Sequence, residues 1–399
     1  MASQPIKDDP MSTLTPIVWL NLTTIPSLGD SRLALLAQHF EESSQIDDFQ
    51  LGVSSSLSFS SELWRAIEKV IAHGDRPVNA QAANALRWSE QPGNRLFLLP
   101  DADYPSLLRL LPDPPAVLYA RGRHELIHQP QIAMVGSRNP SVHGQETARQ
   151  FARSLGESGF TITSGLAAGI DGSAHAGALG TLGATIGVLG SGLNVIYPAK
   201  HRDLAQKMME SGLLVSEFPP DTQPRSQHFP KRNRIISGLS LGTLVVEASL
   251  RSGSLITARN ALEQHREVFA IPGSIHNPQA RGCHHLIKQG AKLVECTDDI
   301  LAELPALMGL YRSLNEPWTT VFAAEEFPGQ QSQPEPASLR PLSEQAEAVL
   351  KGMGYDCTPP DALVERTGLS IAEIRSVLIE LELEGWVQEV AGGFIRNAR

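Results

Sequence analysis

The stretch Ile132-Ala-Met-Val-Gly-Ser-Arg138 runs a short apolar segment into a glycine, a hydroxyl and a cation, and Phe160-Thr-Ile-Thr-Ser-Gly-Leu-Ala-Ala-Gly-Ile-Asp171 repeats that arrangement. A β-prone apolar run that breaks at glycine just before an amphipathic segment reads as a buried parallel strand feeding a helix. Working outward, the same alternation predicts strands at 132–135, 160–163, 185–189, 213–216, 243–246, 268–271 and 292–295, with helices between. This is an α/β fold with a doubly wound parallel sheet. Right-handed crossovers bring every strand's C-terminal end to one edge, where sheets of this class bind ligands.

The flanks read differently. Leu33, Leu35, Leu36 and Phe40 recur at helical spacing, and Ser61 is placed to cap a helix over 62–73. Residues 1–90 are therefore expected to form a small helical domain. Its Ile25-Pro-Ser-Leu-Gly29 turn leaves open a SAM-like or helix-hairpin-helix-like arrangement beside a plain packing module. The sheet domain is expected over 91–310. A linker over 311–341 contains Gln330-Gln-Ser-Gln-Pro-Glu-Pro336, polar and proline-rich. Three helices at 343–353, 359–367 and 370–385, then two strands over 386–395 around Gly392-Gly393, make the last domain, 342–399, a winged helix.

The sequence holds no apolar run of the roughly 18 to 20 residues that a membrane span needs, and it opens with Lys7, Asp8 and Asp9 in place of a signal peptide. A cytoplasmic protein with no membrane partner is expected. Three well-separated cysteines, Cys283, Cys296 and Cys357, support neither a disulfide framework nor a metal site. His284 and His285 are adjacent, so on a helix they diverge by about 100° and do not chelate together. No metal and no cofactor is expected.

A net charge of −10 argues at first against a nucleic-acid partner. Its distribution reverses the impression. Residues 126–266 hold 13 Lys/Arg against 9 Asp/Glu and are the one net-positive stretch. Within it, residues 222–246 carry Arg225, Lys231, Arg232 and Arg234 with no carboxylate.

Each strand end adds to this stretch. Gly136, Ser137 and Arg138 precede a helix and combine close backbone approach, free N–H groups and a bidentate phosphate partner. Ser164 and Gly165 begin a second expected anion cradle, with Asp171 as either a ligand group or a helix cap. Gly190, Gly192 and Lys200 make a third. A row of cradles suits a chain with repeating phosphates better than a mononucleotide. After the fourth strand comes Phe229-Pro-Lys-Arg-Asn-Arg234, in which Phe229 can stack on a base while Lys231, Arg232 and Arg234 neutralise phosphates. The bland alternative makes Phe229 core and pairs one arginine with Glu217 or Glu247. Glu247 ends a buried strand and is expected to orient Arg232 or Arg234 as a structural acid, with a catalytic acid as the alternative.

Assembled, Val135-Gly-Ser-Arg138, Ser164-Gly-Leu-Ala-Ala-Gly-Ile-Asp171, Leu189-Gly-Ser-Gly192 with Tyr197-Pro198, Phe229 to Ser240, Val246-Glu-Ala with Ser252-Gly-Ser-Leu-Ile-Thr-Ala258, and Gly282-Cys-His-His-Leu-Ile287 resemble the DprA/Smf family of DNA-processing proteins. The resemblance covers residues 95 to 305 and implies an extended Rossmann-like domain that binds single-stranded DNA. It further implies protection of incoming strands in natural transformation and loading of a RecA-type recombinase, with no catalytic residue. By motif, Ser137, Arg138, Ser164, Gly165, Gly192, Lys200, Phe229, Lys231, Arg232 and Asn233 would line the strand's path, and His284, Ile287 and Leu293 would lie in a homodimer interface. The winged helix sums to −5 and carries Glu380, Glu382 and Glu384 on its third helix, which predicts a protein-binding or regulatory role for it.

Two other classes remain open. A phosphoribohydrolase-like enzyme would use Glu247 with Arg138 to hydrolyse a nucleotide, although the compact Pro-Gly-Gly-x-Gly-Thr run of those enzymes is missing. A nucleotide-sensing scaffold would need no stacking aromatic at Phe229.

Overall fold

Gln131–Val135 is buried along its whole length, and the sheet grows from it in both directions. Successive strand side chains point to opposite faces, and the two cores divide on that rule. Ala133 and Val135 belong to one cluster of buried residues, Ile132 and Met134 to the other. The computed structural model describes residues 14–43, 57–305, 308, 309, 311, 342–353, 358–390 and 392–396. Two units divide the chain, Met1–Thr319 and Thr320–Arg399.

In chain order the first unit begins with α1 (Pro16–Leu22), α2 (Asp30–Ser43), α3 (Ser61–His73), α4 (Ala80–Ser89), β1 (Asn94–Leu98), α5 (Ser106–Arg109) and β2 (Val117–Gly122). It continues with β3 (Gln131–Val135), α6 (Val142–Glu157), β4 (Thr161–Ser164), α7 (Ile170–Ala178), β5 (Thr185–Val188), α8 (Arg202–Ser211) and β6 (Leu213–Ser216). The remainder is α9 (His228–Gly238), β7 (Gly242–Val245), α10 (Ser254–Glu263), β8 (Glu267–Ala270), α11 (Arg281–Lys288), β9 (Lys292–Leu293) and α12 (Thr297–Leu301). The sheet order is β1-β2-β6-β5-β4-β3-β7-β8-β9. From β6 to β9 every pairing is parallel, as in an extended Rossmann-like sheet.

All seven expected strands are present. Two more, β1 and β2, were not expected, and they extend the sheet antiparallel beyond β6. The chain order reverses between β3 and β7, and a doubly wound sheet opens its ligand crevice at such a reversal.

The N-terminal helices do not bury their apolar faces among themselves alone. Ile17, Trp19, Leu36 and Ile67 join the core cluster that also contains Val135 and Val188, and Trp19 Nε1 donates to the Ala116 carbonyl oxygen at 2.8 Å. Ser60 caps α3 by accepting from the Leu63 amide at 3.2 Å, one residue earlier than expected. The Ile25 to Gly29 turn joins α1 to α2 and buries Leu28.

The second unit has its own core. Helices Glu344–Met353, Pro360–Thr367 and Ile371–Leu383 surround Val349, Leu363, Ile374 and Leu378. Antiparallel strands Val387–Val390 and Gly393–Arg396 complete the winged helix. Nearly all of the expected linker, 312–341, lies outside the described residues. Among the described residues no helix is long and apolar enough to cross a membrane.

Candidate functional site

A cleft of about 720 Å³ opens where the sheet order reverses. The turn after β3 supplies Gly136, Ser137 and Arg138, the segment after β7 supplies Ser252 and Ser254, and α9 forms a side wall. Arg138 and Arg225 are exposed at this cleft, while Arg232 is buried at 3% exposure. Among the described residues lining it, Asp171 is the one carboxylate.

The segment from Phe229 to Arg234 is helical, not an extended loop. Pro230 is tolerated because it stands in the first turn, where an N–H has no intrahelical partner. Helical phase then separates side chains that the linear motif groups together. Phe229, Arg232, Asn233 and Ile236 face the cleft at i, i+3, i+4 and i+7. Lys231 and Arg234 do not line it.

Those two cations are engaged elsewhere. Lys231 Nζ lies 3.0 Å from Glu217 Oε2 and 3.1 Å from Asp30 Oδ2, and Arg234 Nη2 lies 2.8 Å from Glu217 Oε2. Arg234 Nε reaches Asp113 Oδ2 at 3.1 Å. Burial opposes the Lys231 ammonium, yet Glu217 and Asp30 more than offset it and raise its pKa. The expected pairing of Glu247 with Arg232 or Arg234 is therefore corrected: Glu217 is the partner of Arg234.

Glu247 instead closes the first expected phosphate cradle from within. Its Oε2 accepts from the Ser141 amide at 2.9 Å and its Oε1 from the Ser141 hydroxyl at 2.6 Å, at the N-terminus of α6. A carboxylate there satisfies the positive end of the helix dipole. Gly144 leaves room for this contact, since a Cβ there would come within 2.5 Å of the Glu247 carboxyl carbon and push the side chain aside. Glu247 is not among the described residues that line the cleft.

The second cradle is also filled from within. Asp171 is not the α7 cap; its Oδ2 accepts from the amides of Gly165 at 3.1 Å and Ala167 at 3.3 Å. Burial raises its pKa, against the pull of Arg232. Ser164 donates to the Met134 carbonyl at 2.6 Å, tying β4 to β3. Gly165 gives space to the Arg232 guanidinium, whose Nη2 would lie 2.5 Å from a Cβ there. Arg232 Nη1 donates to the carbonyls of Gly165 and Val188. Burial lowers its pKa to about 10, with Asp171 acting in the opposite sense.

In the third cradle the Gly192 amide donates to Thr222 O at 2.9 Å, and Gly190 lies under the Phe229 ring. Lys200 is exposed on the turn Ala199–His201 but does not line the cleft. The backbone donors expected to hold phosphates are thus largely committed, and the charge available to a ligand sits on arginine side chains.

One further candidate residue lies outside the expected set. Tyr197 lines the cleft with half of its surface exposed, and its ring centroid is 5.6 Å from that of Phe229. Arg138 Cζ stands 5.5 Å from the centroid of the Phe229 ring. Phe229 is accordingly a backing ring between a cation and a second aromatic, and Tyr197 carries the freer face. Its place in Tyr197-Pro198, next to a glycine-rich strand end, was the available signal.

Next to the segment that carries Ala167 and Asp171, the buried His175 accepts from the Leu166 amide at Nε2, 3.2 Å away, and shares a 2.7 Å hydrogen bond through Nδ1 with Thr185 Oγ1. Of the residues expected at an interface, His284 holds the Gly273 carbonyl at 3.0 Å, Ile287 packs on the main core, and Leu293 is 41% exposed on β9 at the sheet edge.

Residues 95–305 match a family model described as DNA recombination-mediator protein A, and residues 333–393 match one described as DprA winged helix domain. The chain is 42% identical over 383 residues to Protein Smf of Escherichia coli (strain K12), covering 96% of each. It is 48% identical over 203 residues to DNA processing protein DprA of Bacillus subtilis (strain 168), covering 51% of this chain and 68% of that one. Among solved structures it is similar to the X-ray structure of DprA from Streptococcus pneumoniae, with a TM-score of 0.62 and 36% identity over 73% of this chain and 98% of that chain.

Proposed function

The chain belongs to the DprA/Smf family of DNA-processing proteins, and on that premise we propose that its cleft binds single-stranded DNA and delivers it to a RecA-type recombinase. The observation that carries the DNA reading is one constellation at the cleft: Tyr197 exposed against Phe229, Arg138 over the same ring, and Arg225 exposed nearby. Stacking aromatics beside cations suit unpaired bases joined by phosphates, whereas duplex DNA buries its base faces. A role in protecting incoming strands belongs to the same proposal. So does a homodimer through the region of His284, Ile287 and Leu293, supported by the exposed Leu293 on an edge strand.

Fluorescence anisotropy with oligo-dT, a duplex of equal length and AMP, each across a salt series, tests the binding step. Single strands are expected to bind best, with Arg138→Ala and Arg225→Ala each reducing the salt slope by about 1. Tyr197→Ala should cost about 1 to 3 kcal/mol with the slope retained. Equal or tighter binding of AMP, or a slope that neither arginine changes, would overturn the proposal.

A further inference from the structure

Asp171 is an unexpected residue to find in a cleft for a polyanion. It is 6% exposed, yet it lines the cleft. Its Oδ2 is committed to the amides of Gly165 and Ala167, while its Oδ1 accepts no hydrogen bond from any described residue and is not among the fully buried unpartnered atoms, so it is open to the cleft. An acceptor that the fold leaves free and open to the cleft is available to a donor on the ligand. A phosphodiester cannot fill that role, since it carries no proton to donate. Deoxyribose within a strand has no hydroxyl to offer. What remains on single-stranded DNA is an N–H on the edge of a base.

Resting on the single-strand reading above, we propose that Asp171 reads a base turned into the cleft by accepting a hydrogen bond from its exocyclic amino group, so that adenine and cytosine are favoured over thymine. The Watson–Crick edge of thymine offers one ring N–H flanked by two carbonyl oxygens, both of which face a carboxylate unfavourably. Adenine and cytosine each present an amino group that can approach from the open side. The volume of about 720 Å³ is of a size that encloses a small ligand, enough for one base with its sugar. Arg232, held beside Asp171 by its two carbonyl contacts, and Asn233, whose Oδ1 accepts from Arg232 Nε at 3.3 Å, fix the neighbouring wall. Recognition of this kind adds a base preference to a site otherwise built for backbone and stacking.

The test uses the full chain and short homo-oligomers of dA, dC and dT, with one further oligomer in which adenine is replaced by purine, which lacks the amino group. The unaltered protein is expected to bind dA and dC about tenfold more tightly than dT, the value of one hydrogen bond to a charged group. The purine oligomer should lose most of the advantage of dA, which separates the amino contact from the stronger stacking of purines and needs no variant. In Asp171→Asn the amide oxygen can still take the Gly165 and Ala167 amides, leaving a donor toward the cleft, so the preference should vanish or turn toward dT. If adenine and purine oligomers bind alike, or if folded Asp171→Asn keeps the original ranking, the inference falls while single-strand binding stands. If no oligomer binds, the proposed function itself falls.

Discussion

His175 is held in a single protonation state next to Leu166, whose neighbour Ala167 lines the cleft. Thr185 Oγ1 spends its proton on the Ile162 carbonyl, so the His175 proton resides on Nδ1 and the Nε2 lone pair faces the Leu166 amide. Leu166 itself sits at φ 54, in the left-handed region that costs a non-glycine residue about 1 kcal/mol or more, and His201 Nδ1 holds its carbonyl at 2.9 Å. Burial, reinforced by His201 and Arg232, lowers the His175 pKa to about 3. The unfolded chain takes up a proton near pH 6.5 that the folded chain refuses until about pH 3, so stability falls as pH drops through this window. The loss should reach about 2 kcal/mol by pH 5. Urea unfolding at pH 7.5 and pH 5 checks it: His175→Gln, which keeps a donor and an acceptor, should show a correspondingly smaller difference between the two pH values. An unchanged difference would place the pH response elsewhere.

α9 is the element on which function and stability meet. Its cleft face carries Phe229, Arg232 and Asn233, and its other face carries Lys231 and Arg234, tied to Glu217 and, through Asp30, to α2. Arg234 and Glu217 side chains are 9% and 4% exposed, so removing Arg234 leaves the buried Glu217 with the half-exposed Lys231 as its remaining cation among the described residues. Arg234→Ala should therefore cost up to about 3 kcal/mol of stability, the low end for a broken buried pair. Lys231, with 47% of its side chain exposed, should cost no more than about 1 kcal/mol when replaced by alanine. Neither change should alter the salt slope of DNA binding, and a slope reduced by Lys231→Ala would return that residue to the strand's path. The spacing behind this division is present in the sequence, since Phe229, Arg232, Asn233 and Ile236 stand at i, i+3, i+4 and i+7. The local density of charge hid it, because cations three residues apart look like one patch until the phase of the helix is known. The parallel strands were legible for the opposite reason: most are apolar at their centres, and β3, β4, β5 and β6 end at or within two residues of a glycine or serine. β1 and β2, by contrast, contain Arg95 and Arg121 and lie ahead of the regular alternation.

At the scale of the whole molecule, charge separates the two units. Residues 320–399 hold 6 Lys/Arg against 13 Asp/Glu, so −7 of the total −10 lies there and −3 in residues 1–319. That partition could be counted from the sequence. The bond between the N-terminal helices and the sheet could not, because it rests on contacts such as Trp19 with Ala116, whose spacing leaves no periodic trace. The third helix of the winged unit, Ile371–Leu383, carries Glu373, Glu380 and Glu382 against the single cation Arg375, a poor match to a phosphate-lined groove. Its own core, with Val349, Leu363, Ile374 and Leu378 buried, gives it a fold that does not depend on the sheet. Removing residues 320–399 should therefore leave the salt slope for single-stranded DNA unchanged, because the slope counts phosphate contacts and these are assigned to the cleft. Affinity at low salt should stay the same or rise a few-fold as net negative charge is removed, an effect that fades once salt screens it. Anisotropy titrations of both chains across the same salt series decide the matter, and a slope that drops by about 1 or more on truncation would assign phosphate contacts to the winged helix despite its acidity.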